Sequence, residues 1–286
     1  MTTSDIPRPA TPARPFFPML LSDGSDSVLL GYAGTMGACA GHEHWIYGQG
    51  VATGWFKADR RVAEAQVNLL QSGYIIREGL HAIGMSRLDQ QHFDPASGIL
   101  TNHNRHGRLR VSLRSGLVAA SGLVHHFTVT GPVTDCSFQF FVQASSCWHL
   151  PIRLPDPAPQ LLHVAPAGSG RLEFEIEAGG LRYPGSLRLT LPRARVVTCF
   201  NGRPGLEASL TPGASFAVEV HLGDPVRPRT QRPVPKRRPD PIAALARSAT
   251  AWHDLQQTSS VSCDDADIAQ FYRTSLYILH AHQHPG

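Results

Sequence analysis

The 286-residue sequence predicts a mainly β protein: a large two-sheet antiparallel sandwich, then a linker and two α-helices. Three observations lead there. Glycine (26) and proline (23) are abundant, as in a chain with many turns. From Phe17 to about Gly223 short apolar runs alternate with turn residues. Beyond Gly223 the apolar period changes from two residues to three or four. The length suits one large domain or two small ones. The expected division is a flexible lead-in at 1–16, a β-sandwich domain at 17–223, a Pro/Arg-rich linker at 224–240 and a helical segment at 241–286.

Each element follows from local pattern. Ser27–Tyr32, Ala52–Lys57 and Val67–Ile76 are the early strands. Residues 90–101 read as a hairpin whose turn is Asp94-Pro95-Ala96-Ser97-Gly98, residue types that set turn backbone angles. Further strands are expected at Arg108–Leu113, Leu123–Thr130, Cys136–Gln143, Leu161–Val164, Leu172–Glu177, Leu187–Leu191, Arg195–Phe200, Leu206–Leu210 and Phe216–His221. In Arg171–Glu177 the residues Leu172, Phe174 and Ile176 alternate with glutamates, the mark of a strand with one wet face. So many strands exceed a usual single sheet and favour two packed ones. Asp240 suits an N-cap and Pro241 a first helical position. Ile242, Leu245, Ala249, Trp252 and Leu255 then recur at helical spacing. A second helix is expected from Asp264–Asp265 to near His284, with Ile268, Phe271, Tyr272, Ser275, Leu276 and Leu279 as its stripe. Two helices of this size have no core of their own. Their stripes must meet the sandwich or helices this chain does not encode.

Charge and cysteine content narrow the function. The net charge of +4 gathers in the linker, at Arg227, Arg229, Arg232, Lys236, Arg237 and Arg238. A nucleic-acid protein spreads basic groups over a folded face, so no nucleic-acid partner is expected. No apolar run approaches the ~20 residues of a membrane helix, so no membrane partner is expected either. The N-terminus lacks the layout of a signal peptide. Cys39, Cys136, Cys147, Cys199 and Cys263 are far apart and form no CxxC pair. They read as reduced, buried thiols of a cytoplasmic protein. Neither a P-loop, a GxGxxG nor a GxSxG is present, which removes support for nucleotide and serine-hydrolase chemistry.

Three stretches carry a family resemblance: Asp23-Gly-Ser-Asp-Ser-Val-Leu-Leu-Gly-Tyr-Ala-Gly-Thr-Met-Gly, Gly54-Trp-Phe-Lys-Ala-Asp-Arg, and Ile268 through Gly286. With the sandwich–linker–helix layout they resemble the N-terminal part of glycoside hydrolases and phosphorylases of the maltose phosphorylase, kojibiose phosphorylase and acid trehalase type. The resemblance implies a galactose-mutarotase-like supersandwich followed by the start of an (α/α)6 barrel. It also implies inverting chemistry on glucosides: a carboxylic acid protonates the glycosidic oxygen while water or phosphate attacks from the opposite face. In that family the acid and the nucleophile site belong to the barrel. Only its first helix is expected before Gly286, so no residue here is assigned a catalytic role and the chain reads as a truncated member. The alternative is a non-catalytic carbohydrate-binding or scaffolding sandwich.

The candidate substrate contacts are Trp45, Tyr47, Trp55, Lys57, Asp59 and Arg60. Aromatic rings stack on the apolar face of a pyranose while charged side chains bond its hydroxyls. The competing reading makes Trp55 core and Lys57–Asp59 a solvated pair. His42 and His44 share a strand face but lack further ligands, and His280 and His284 share a helix face without a third. No metal and no cofactor is expected. The expected partner is an oligosaccharide or disaccharide.

Overall fold

The computed structural model describes residues 19–22, 26–30, 52–58, 66–79, 81–82, 87–118, 122–144, 159–199, 202–223, 240–259 and 262–281. Two antiparallel sheets face each other. The first runs β1 (Met19–Ser22), β2 (Asp26–Leu30), β3 (Ala52–Ala58), β4 (Gln66–Glu78), β10 (Cys136–Ala144), β15 (Pro204–Ser209) and β14 (Arg195–Thr198), with β5 (His81–Ala82) beside β4. The second runs β11 (Gln160–Pro166), β12 (Arg171–Ala178), β13 (Leu181–Leu189), β16 (Ser215–Leu222), β9 (Gly122–Thr130), β8 (Leu109–Val118), β7 (Ile99–His106) and β6 (Arg87–Asp94). The expected sandwich with two helices is the observed fold class.

The inner faces share one apolar core. Leu172, Phe174 and Ile176 point into it and the glutamates between them point away, so β12 has the alternation its sequence carries. Tyr74 of β4, Phe138 of β10, and Phe127 and Phe216 of β9 and β16 interlock at ring-centroid distances of 4.8–5.6 Å across the two sheets, within the range where aromatic pairs attract beyond area burial. The β13 strand starts six residues earlier than its apolar pattern, passing through Pro184-Gly185. Gly185 stands opposite Phe174, whose ring fills the space a Cβ would need. No expected strand corresponds to β1 or β5.

The helices are α1 (Pro241–Gln257) and α2 (Ala266–Ala281). Asp240 caps α1 by accepting from the Ala243 amide, with Pro241 leading the helix. Asp265 caps α2 by accepting from Asp267 and Ile268 amides at 2.9 and 3.1 Å. The residues from 282 onward, where α2 was expected to end, lie outside the described chain.

Part of the expectation for the helical stripes is corrected here. Ala244 and Leu245 of α1 are buried against Ile99, Val118 and Val124 on the outer face of the second sheet. A glycine at 116 makes this seat, since a Cβ there would lie 2.6 Å from Leu245 Cδ1. The stripe of α1 is therefore covered by this chain's own strands around Leu245 and Ala249, while Leu255 near its end stays 38% exposed. That of α2 is divided. Tyr277 is buried and meets Phe93 of β6 at 4.8 Å and Trp252 of α1 at 4.9 Å. Ile268, Phe271 and Leu279 remain 57, 74 and 62% exposed. No described helix is long and apolar enough to cross a membrane.

Leu245→Ala removes the side chain that seats α1. Unfolding in urea should show a loss of about 2–5 kcal/mol; an unchanged midpoint would mean that α1 does not stabilise the sandwich.

Candidate functional site

Of the six candidate sugar contacts, Trp45, Tyr47, Asp59 and Arg60 lie outside the described residues. Trp55 and Lys57 belong to β3. The register sets Trp55 opposite Val28 and Leu70, and Lys57 opposite Asp26 and Val67, with a bulge after Trp55. Leu70 is a core residue. Glu43, His42 and His44 also fall outside the described chain. Asp89 pairs with Arg105 at 3.1 Å on the surface.

The structure assembles a different polar cluster, on the outer face of the first sheet. Four neighbouring strands contribute. The pairing Arg195–Glu207–Gln139–Ile75 crosses β14, β15, β10 and β4 in one row, and Ser137 and Arg77 stand in the next. Glu207 is the hub. Its Oε1 accepts from Ser137 Oγ at 3.1 Å and Gln139 Nε2 at 3.0 Å, and its Oε2 from Arg195 Nη2 at 2.9 Å. Arg77 Nη1 approaches Oε1 at 3.7 Å. Burial alone would raise this carboxyl's pKa. Hydrogen bonds from Gln139, Arg195 and Ser137, with the Arg195 charge, outweigh it and hold the pKa below the ordinary carboxylate value.

Within this cluster Ser137, Gln139 and Arg195 donate and the Glu207 carboxylate accepts. A glycosidic general acid needs a raised pKa, and Glu207 is shifted the other way. One row along, Phe141 lies between Gly73 and Gly205 and packs with Ile75, Val197 and Cys199. Burial pushes the Cys199 thiol up to about 12, leaving it inert at neutral pH. Cys136 is likewise buried with a raised pKa, but Cys263 is exposed, which corrects the reading of all five cysteines as buried. Gln71 and Gln143 bond amide to amide at the far side of the same face.

Inside the sandwich, polar groups also meet. Tyr74 Oη bonds His106 Nε2 at 2.8 Å and accepts from Asn104 Nδ2 at 3.1 Å, joining the two sheets. Ser115 Oγ and His125 Nδ1 are 2.8 Å apart. Burial lowers the pKa of His106 to about 4 and that of His125 to about 3. Among the described residues no group of three or more His, Cys, Asp or Glu could hold a metal.

No family model matches the chain, and no curated protein does. Among solved structures, a protein described as a kojibiose phosphorylase from human microbiome aligns with 91% of this chain at a TM-score of 0.49 and 9% identity. The chain spans 35% of that protein's length. The likeness is a distant one of fold.

Acid titration tests these environments. An unfolded chain protonates His106 and His125 near pH 6.5, whereas the folded chain resists until about 4 and about 3. Their contribution is thus complete above about 6.5 and falls, by about 1.4 kcal/mol per pH unit for each histidine, as pH drops below that. Glu207 adds a loss only at lower pH, as pH falls from the ordinary carboxylate range through its depressed native pKa. Urea unfolding between pH 7 and 3 should show this early slope in the parent and a shallower one in His106→Asn. An identical slope in that variant would contradict the buried neutral state.

Proposed function

We propose that this chain is the sandwich-bearing part of an inverting carbohydrate-active enzyme, a glycoside hydrolase or phosphorylase acting on glucosides. Catalysis resides in a helical barrel that α2 joins, and the sandwich shapes access to it. The observation that carries this reading is the divided surface of α2. One side is fixed by Tyr277 against Phe93 and Trp252, while Ile268, Phe271 and Leu279 stand exposed on the same short helix. Several large apolar side chains on one exposed helix mark an interaction surface. A barrel of helices packing ridges into grooves is the partner chemistry that such a face suits. A stand-alone binding sandwich would instead fold those side chains back.

The family resemblance of residues 23–37, 54–60 and 268–286 supports the same reading. In it the domain boundaries fall at 17–223, 224–240 and 241–286. Trp45, Tyr47, Trp55, Lys57, Asp59 and Arg60 are the sugar contacts of this reading. Glu207 is not the general acid in this reading, because hydrogen bonds from Gln139, Arg195 and Ser137 hold its carboxyl below the ordinary carboxylate value.

Three measurements test this. The purified 286-residue chain should neither hydrolyse nor phosphorolyse α-linked disaccharides; inverting turnover that persists through purification would contradict the proposal. Phe271→Ser with Leu279→Ser should reduce self-association and dye binding while changing stability by no more than about 0.5 kcal/mol. A large stability loss would mean that these side chains are core. Trp45→Ala with Trp55→Ala should weaken calorimetrically measured sugar affinity at an unchanged Tm; a fall in Tm without loss of affinity would assign them to packing.

A further inference from the structure

The inward face of β7 is unusual for a sandwich core. Alternate residues Asn102, Asn104 and His106 all point in and are buried. Across from them, Tyr74 and the next inward position of β4, Ser72, complete a polar strip between the sheets. Several atoms of this strip have no hydrogen-bond partner among the described residues. Both side-chain atoms of Asn102, which is 0% exposed, are unpaired, as are Ser72 Oγ and His106 Nδ1. Gln91, directly opposite Asn102 on β6, adds an unpaired Nε2. Native proteins satisfy nearly all such groups. Each one left bare would lower the folding equilibrium constant roughly ten- to a hundredfold.

We propose that this strip binds ordered water, with Asn102 and its cross-strand neighbour Gln91 as one position and Ser72 and His106 as further contacts along it. The donor and acceptor pattern selects the ligand. Asn102 needs both a donor and an acceptor, and Ser72 and Gln91 each need an acceptor for their hydrogens. His106 Nδ1 needs an acceptor in one tautomer and a donor in the other. Water serves every case. A dehydrated ion would meet no compensating charge: the cross-strand neighbours Val142, Leu113 and Leu109 are apolar, and the ring of His106 is neutral. The neighbouring amides of Asn102 and Gln91 alone offer three unpaired polar atoms, within the two to four partners a buried water takes.

A crystal structure of the full chain, grown without polyols, tests this directly. Water oxygen density within about 3.2 Å of Asn102 Oδ1 or Nδ2 is expected. A dry strip closed by apolar contacts would overturn the proposal. In solution, Asn102→Leu keeps the volume and strips the water of its best partner. The unfolding equilibrium in urea should then shift about tenfold toward the unfolded state, whereas a bare amide predicts a shift toward the folded one. An unchanged or more stable protein would overturn the site. Should that variant fail to fold, Ser72→Ala gives the same readout with a smaller expected shift, and no loss of stability there would count equally against it.

Discussion

The tip of the β6–β7 hairpin fixes where both helices sit. Asp94 shapes it, accepting from the Ala96 and Gly98 amides through its side chain and carbonyl. Gly98, at φ +65°, is so close to Trp252 and Tyr277 that a Cβ would lie 3.1 Å from the indole and 3.3 Å from the phenol ring. Only glycine combines that angle with that approach. Gln256, buried at the end of α1, donates to the Pro95 carbonyl at 2.6 Å and to the Arg273 carbonyl of α2 at 3.3 Å. One amide thus ties turn, first helix and second helix together. Everything inferred about the outer side of α2 depends on this clamp, because it decides which side faces the sandwich.

Two further features follow from how the sheets stack. The aromatic contacts between Tyr74, Phe127, Phe138 and Phe216 fill the centre of the core. Polar residues of β7 occupy the flank beside them, joined to β4 through Tyr74. On the outside of the first sheet, Glu207 draws Ser137, Gln139 and Arg195 from separate strands into one charge-assisted network. Both networks specify strand neighbours, since a shift of one residue in register would turn each participating side chain to the wrong face.

The sandwich was largely legible because its apolar alternation is local. Leu172, Phe174 and Ile176 announce both their strand and its buried face. The start of β13 was not, since the reason for Gly185 is the Phe174 ring on the neighbouring strand. The expected hairpin stopped at residue 101, short of the polar run Asn102-His-Asn-Arg-His106, yet half of that run is core because Tyr74, about thirty residues earlier, meets it there. The Glu207 hub was equally hidden, being gathered from residues 77, 137, 139, 195 and 207. Helix starts were legible from Asp240 and Asp265, whose side chains cap the following amides. What the helices bury was not, because periodicity gives a stripe without its partner. For the candidate sugar contacts, Trp55 and Lys57 have a strand and a register, and the other four have none within the described chain.

Amide hydrogen exchange, measured at a concentration where the chain is monomeric, tests the central claim most directly. The account predicts that the amides of α1 over residues 244–249 approach the protection of the sandwich strands, while α2 opens at clearly lower free energy because Ile268, Phe271 and Leu279 lack cover. Protection of α2 equal to that of the core strands would contradict it, and so would an α1 as labile as α2.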